Sequence, residues 1–198
     1  METLNILGVA GSMRKDSYGT KVLKIVLDIA ANKYEAQTSL LEFSKVNIPL
    51  YNPDLPIQSN INMQKATDKV NWADAFILVS PDYQGSMSGS MKNFLDYYWE
   101  EFAGKTFGYI CTSHEKGLTV MDQMRTAVRQ CHGWSLPYGT SVNGSEDFNE
   151  EGEVINNLLN KRLKMLARDL VVYSKLIREQ FIQDLSSDLE DTFAARYR

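Results

Sequence analysis

Residues 4–30 read LNILGVAGSMRKDSYGTKVLKIVLDIA, an apolar run that breaks at a Gly-Ser turn and resumes with helical spacing. Leu4, Ile6, Leu7 and Val9 form a short, nearly continuous hydrophobic segment of the kind buried on both faces in a parallel sheet. Val22, Ile25, Val26 and Ile29 then recur at i, i+3, i+4 and i+7, the stripe of an amphipathic helix. Between strand and helix lies a basic, hydroxyl-rich loop. Ser12, Arg14, Ser17 and Tyr18 fall at the start of that helix, where unpaired N–H groups and the positive end of the helix dipole favour an anion. A phosphate is the natural guest. An ordinary solvated loop with a serine cap is the plainer alternative.

The glycine spacing excludes the two commonest phosphate fingerprints. After Gly8 the chain reads VAGSMRK, without GxGxxG, and no GxxxxGK[ST] occurs. Side chains must therefore supply what glycine-exposed amides supply elsewhere. Two hydroxyls and a guanidinium can do so through charge-assisted hydrogen bonds.

At 198 residues the chain suits one domain that buries a core without disulfides or metal staples. A net charge of −4 argues against a nucleic-acid partner. The N-terminus METLNIL leads straight into the first strand with no basic or long apolar leader, and no run approaches a membrane span, so the expected location is the cytoplasm. Cys111 and Cys131 lack CxxC spacing or a histidine cluster, which makes core packing the reading for both and gives no metal site.

Further on, residues 37–43 form a second strand, 44–56 a loop with three prolines, and Met63, Ala66 and Val70 a helix beginning near Asn60 or Asn62. Residues 73–80 are a third buried strand. PDYQGSMSGSMKNFLDYYW (81–99) passes through Gly85 and Gly89 into a helix with Met91, Phe94, Leu95 and Tyr98 on one face. Residues 106–111 are a fourth strand and 138–142 a fifth. The helix between them is striped by Met121, Met124, Val128 and Cys131, and a last helix from near Glu151 carries Leu159, Leu163, Leu166 and Leu170. Five alternations with short connections predict a doubly wound α/β fold with a five-stranded parallel sheet, order 2-1-3-4-5. In such a sheet the ligand crevice lies at the carboxyl ends of strands one and three. The two unusual loops follow those two strands. Pro81 and Tyr83 offer apolar faces, Gly85 permits close backbone approach, and N–H groups near Gln84, Gly85 and Ser86 can address a ring edge. Phosphate plus planar ring describes a nucleotide-like cofactor.

GSMRKDS followed by SPDYQGSMSGSMKNFLDY resembles the NADPH-dependent FMN reductase family of flavodoxin-like proteins, whose members pair a GSxRxxS loop with a PxYxGSxxxxxKNxxD segment. The resemblance covers residues 4 to about 142. It implies that Ser12, Arg14, Ser17 and the Tyr18 amide hold the FMN phosphate, and that Pro81, Asp82, Tyr83, Gln84, Gly85 and Ser86 line the isoalloxazine. It adds Ser113 and Gly117 from the loop TSHEKG (112–117), and gives Lys92, Asn93 and Asp96 a mainly structural role. Gly19 stands where many members have asparagine, and TSHEKG replaces a glycine-rich turn; His114 in that loop reads as solvated.

The implied activity is transfer of hydride from NADPH or NADH to bound FMN, then to a small-molecule acceptor such as free flavin or a quinone. Such transfer requires no protein nucleophile or obligatory acid and base, so no catalytic residue is assigned. The alternative, a flavodoxin-type carrier docking on protein partners, usually shows a TxTGxT loop and a strongly acidic surface. This chain has neither.

Residues 1–175 are expected to form the FMN-binding domain and 176–198 an amphipathic helical tail. In the tail Phe181, Leu185, Leu189 and Phe193 recur every four residues, and Ser187 with Glu190 has capping-box spacing. An isolated helix of this length is marginal in water, so the stripe must find a surface. The expectation is the second subunit of a homodimer or homotetramer, with folding back onto its own domain as the alternative.

Overall fold

The computed structural model describes residues 3–56 and 60–198. Strand and helix alternate as the hydrophobic periods dictate: β1 (Asn5–Ala10), α1 (Tyr18–Tyr34), β2 (Gln37–Glu42), α2 (Ile61–Trp72), β3 (Ala75–Tyr83), β4 (Ser86–Met87) and α3 (Gly89–Asp96). After a 3-10 turn (Glu100–Phe102) come β5 (Thr106–Thr112), α4 (Leu118–Gln130), β6 (Trp134–Ser135), β7 (Thr140–Val142), the one-turn α5 (Gly144–Asp147) and α6 (Asn157–Leu185). The parallel order is β2-β1-β3-β5, and β6 and β7 share the place beyond β5. This is the flavodoxin-like winding expected from the sequence, with two differences in detail.

The fifth strand, expected over 138–142, shortens to β7, and a separate short piece, β6, precedes it. β6 pairs with Thr106 and Phe107 at the start of β5, and β7 with residues 110–112 at its end. Between them Pro137 has no N–H to give the ladder, so pairing stops and restarts. The segment 81–83, expected as loop, is instead the last third of a nine-residue β3 that folds back antiparallel onto β4.

Successive strand residues feed two cores. Ile6, Ala10, Ile77, Val79 and Ile110 pack under α1 and α6, against Val22, Val26, Leu163, Leu166 and Leu170. Leu7, Val9, Phe76, Leu78, Phe107 and Tyr109 face the other way, against Met63, Phe94, Met124 and Val128 of α2, α3 and α4. Burial on both faces accounts for the unbroken apolar runs in the sequence. Asn60 caps α2, accepting from the N–H groups of Asn62 and Met63. α6 starts at Asn157 rather than near Glu151, because Asn156 caps it while Asp147 holds the preceding loop by accepting from Asn143 N and Asn156 Nδ2, both at 2.7 Å.

α6 runs without interruption across the expected 175/176 boundary to Leu185. The stripe beyond does not continue as one helix. Ser187 Oγ donates to the Asp184 carbonyl at 2.9 Å instead of opening a new helix, and a 3-10 turn follows at Phe193–Tyr197. Phe181 and Ala194 are buried against Ala103, with Leu185 and Tyr197 beside them, while Leu189 is exposed. Part of the tail thus folds back onto its own domain, the alternative expected from the sequence, while Ile182, Leu189 and Phe193 keep exposed surface. The 3-10 turn gathers Phe193 and Tyr197 around His132, with ring centroids 5.6 and 6.0 Å away.

Candidate cofactor site

β1 ends at Ala10 beside Val79 of β3, and Pro81 of β3 lies beside Thr112 of β5. The three loops that leave these strands therefore open on one edge of the sheet. The first is pinned at its base: Gly11 N donates to Val79 O at 2.7 Å, and the Gly11 carbonyl accepts from Ser88 Oγ and Ser90 Oγ, each at 2.6 Å. Those two serines begin α3, so the second motif locks the first. Ser12 is buried and accepts from Arg14 N at 3.2 Å.

Ser17 is the N-cap of α1. Its carbonyl takes the Lys21 N–H, while its side chain makes no cap bond and stays unspent. Arg14 is exposed and, among the described residues, makes no ion pair. The first-turn N–H groups of α1 have no intrahelical acceptor by geometry. The loop thus presents a hydroxyl, a guanidinium and a helix N-terminus with no acceptor of its own, and these groups fit a phosphate monoester. The Tyr18 ring packs against Phe148, tilted by 41° with ring centres 4.9 Å apart, which leaves its amide for this loop. Gly19 has a packing reason: a Cβ there would lie 2.7 Å from Thr112 Oγ1 and 2.9 Å from Val79 Cγ1, because α1 rests directly on the strand ends.

The second loop is a two-residue hairpin. Gln84 and Gly85 have φ of 53° and 76°, both left-handed, which matches the twist of the flanking strands. A Cβ on Gly85 would meet nothing within 4 Å, so the backbone there faces open space and a planar ring has room to approach. The Gly85 N–H is committed to Asp82 Oδ1 at 2.8 Å, so this donor, expected for the ring edge, is already spent. Asp82 Oδ2 accepts from Ser113 Oγ at 3.2 Å, tying hairpin to third loop. Gln123 of α4 supports the hairpin from behind: its Oε1 accepts from Ser86 Oγ (3.1 Å) and Met87 N (2.9 Å). Long-range partners such as Ser88, Ser90 and Gln123 leave no periodic trace in a sequence.

In the third loop Ser113 N donates to Val142 O at 3.0 Å, while His114, Glu115 and Lys116 are exposed. Gly117 is buried with φ 58°, where a Cβ would meet that of Cys111 at 2.8 Å. Burial, with the Asp82 carboxylate adding to it, pushes the Cys111 thiol up to about 12, so it stays protonated and inert. Lys92 pairs with Asp96. Asn93 clamps the proline loop to α3, donating to Pro49 O and accepting from Tyr51 N, each at 2.8 Å.

Arg14→Ala is expected to cost about 1.5–3 kcal/mol of FMN binding, roughly 10- to 100-fold, and to leave riboflavin binding nearly unchanged. Flavin fluorescence titration measures both, and equal losses would refute the phosphate assignment.

Comparison with known proteins places the chain in a family. A NAD(P)H-dependent FAD/FMN reductase of Geobacillus thermodenitrificans is 22% identical over 175 residues, 85% of this chain and 92% of the relative. A quinone reductase of Pseudomonas putida is 29% identical over 96 residues; the match spans 48% of this chain and about half the relative. Among solved structures, the flavoenzyme NAD(P)H:(acceptor) oxidoreductase from Paracoccus denitrificans superposes with a TM-score of 0.73 at 21% identity, covering 88% of this chain and 98% of that one. The family profile of NADPH-dependent FMN reductases matches residues 4–147, a span that holds all three loops, and the chain belongs to that family of flavin oxidoreductases.

Proposed function

We infer that Ser12, Arg14, Ser17 and the Tyr18 amide hold the FMN phosphate, and that Pro81, Asp82, Tyr83, Gln84, Gly85 and Ser86, with Ser113 and Gly117, frame the isoalloxazine. FMN supplies the redox chemistry, accepting hydride from a reduced nicotinamide. The chain's own residues do the rest. Arg14 would offset the phosphate charge and Ser17 would donate a hydrogen bond to it, the Gln84–Gly85 turn leaves open space for a stacked ring, and the Asp82–Ser113 contact holds two walls of the crevice in register. The acceptor we assign is a small planar molecule, free flavin or a quinone, entering after the nicotinamide leaves. The names of the relatives from Geobacillus thermodenitrificans and Pseudomonas putida support that class. The observation that carries the reading is the unspent Ser17 hydroxyl and Arg14, without an ion pair among the described residues, on the same sheet edge as the open Gly85 turn.

The homo-oligomer we infer is a homodimer or homotetramer, for which the exposed Leu189 and Phe193 of the tail leave a surface. An open cavity of about 1190 Å³ between α3 and α4 is lined by Tyr51, Met87, Leu95, Tyr97, Trp99 and Cys131, and it reaches the hairpin through Gln123.

Anaerobic mixing with NADPH or NADH tests the function. Flavin absorbance should bleach without any partner protein and recover through many turnovers when a quinone is added. Flavin that stays oxidised until a separate reductase is supplied would identify a carrier instead.

A further inference from the structure

A cavity of about 300 Å³ adjoins the phosphate loop, opening between α1 and the end of β2 on the flank of β1 opposite β3. Arg14, Lys15, Lys21, Lys24 and Lys45 line it, against only Asp16 and Glu42. Glu42 is already engaged, 3.8 Å from Lys24 Nζ and 2.7 Å from Lys45 Nζ. Among the described residues, Arg14, Lys15 and Lys21 have no carboxylate within salt-bridge distance. In a chain of net charge −4, this concentrates positive charge without carboxylate partners in one concave place, with Lys21 Nζ also 5.3 Å from the centre of the Tyr18 ring. The buried hydroxyl residues Ser17 and Thr20 complete the wall.

One phosphate at Ser12, Arg14 and Ser17 leaves Lys15 and Lys21 unneutralised, and like charges held close disfavour one another until an anion sits between them. We propose that this cavity binds a second phosphoryl group of a nucleotide, beside the FMN phosphate: the 2′-phosphate of NADPH, or the adenylate phosphate of FAD. The proposal rests on the assignment of the FMN phosphate to the Ser12–Ser17 loop. Sharing Arg14 and Ser17 with that loop puts the second anion next to the first, and the lysines offset the repulsion between them. Discrimination between NADPH and NADH then resides in side chains remote from the flavin ring.

The test is a Lys15→Gln/Lys21→Gln double variant of the FMN-loaded protein, titrated by calorimetry with NADP+ and with NAD+. In parallel, the flavin-stripped protein is titrated with FMN and FAD by fluorescence. For the nicotinamide source, the NADP+ dissociation constant should rise about tenfold or more, with NAD+ and FMN unchanged. For the flavin source, FAD should weaken by a similar factor while FMN holds. Equal weakening of NADP+ and NAD+ without an FAD effect, equal weakening of FMN and FAD, or no change in any ligand would overturn the proposal. Failure of the wild-type protein to bind FMN would instead overturn the underlying phosphate assignment, so the two failures are distinguishable.

Discussion

Gly104→Ala is expected to lower stability by about 3–5 kcal/mol, a fall in Tm of roughly 10 °C, and so to cost far more than a methyl group on an ordinary turn. Two effects combine. Gly104 has φ 67°, a left-handed conformation that costs an L-residue about 1–2 kcal/mol. The Phe181 ring also packs over its missing Cβ, since an added methyl would lie 2.3–2.5 Å from three ring carbons. The ring must then leave, and with it the small cluster that holds the end of α6 and the 3-10 turn to Ala103. A double-mutant cycle separates the two effects. In a Phe181→Ala background the clash disappears, and Gly104→Ala should cost only the backbone strain. Chemical denaturation at several protein concentrations checks where the ring belongs. A loss that varies with concentration would place Phe181 on a neighbouring subunit and contradict the fold-back of the tail.

The parts of this molecule that were legible in sequence are those set by local period and by strand ends. Residues 4–30 switch from a continuous apolar run to a 3.6-residue stripe, and they form β1 and α1 as read. Because parallel strands end on one edge, loops 11–17, 81–86 and 113–117 had to meet there once the order was known. Four features were hidden for physical reasons. Pro81 reads as a strand terminator, yet β3 carries it near an outer end and goes on to Tyr83. The turn that follows has Gln84 in left-handed backbone, where asparagine or glycine would have signalled a hairpin. The tail's four-residue repeat is consistent with one helix, but α6 stops at Leu185 and the later rings return by a 3-10 turn. The serines that hold the Gly11 carbonyl lie 77 and 79 residues away, a relation no local pattern encodes.

Between pH 8 and 10.5 the wild-type protein should gain up to about 3 kcal/mol of stability relative to Lys105→Met, a gain absent at lower pH. Lys105 is buried at the start of β5, where its Nζ donates to Val70 O at 2.9 Å and sits 5.7 Å from the centre of the Phe76 ring. Burial, reinforced by the Arg178 guanidinium and opposed by Asp74 and Glu101, lowers its amine from 10.5 to about 8. Arg178 belongs to α6 and is itself paired with Asp74 at 3.3 Å, so the same contact that pins this helix to the sheet edge disfavours charge on Lys105. Below pH 8 both folded and unfolded chains carry the proton, and the cost of a buried ammonium is borne in full. As pH rises from 8 to 10.5 the folded chain releases the proton while the unfolded chain keeps it, so the unfolded state binds more protons and stability climbs. Methionine keeps the stem and removes the titration. Tyrosines and cysteines that ionise in the same range are common to both proteins, so the difference between their denaturation free energies isolates Lys105. Parallel curves from pH 7 to 10.5 would show that Lys105 titrates as in water and that the sheet edge is wetter than its packing indicates.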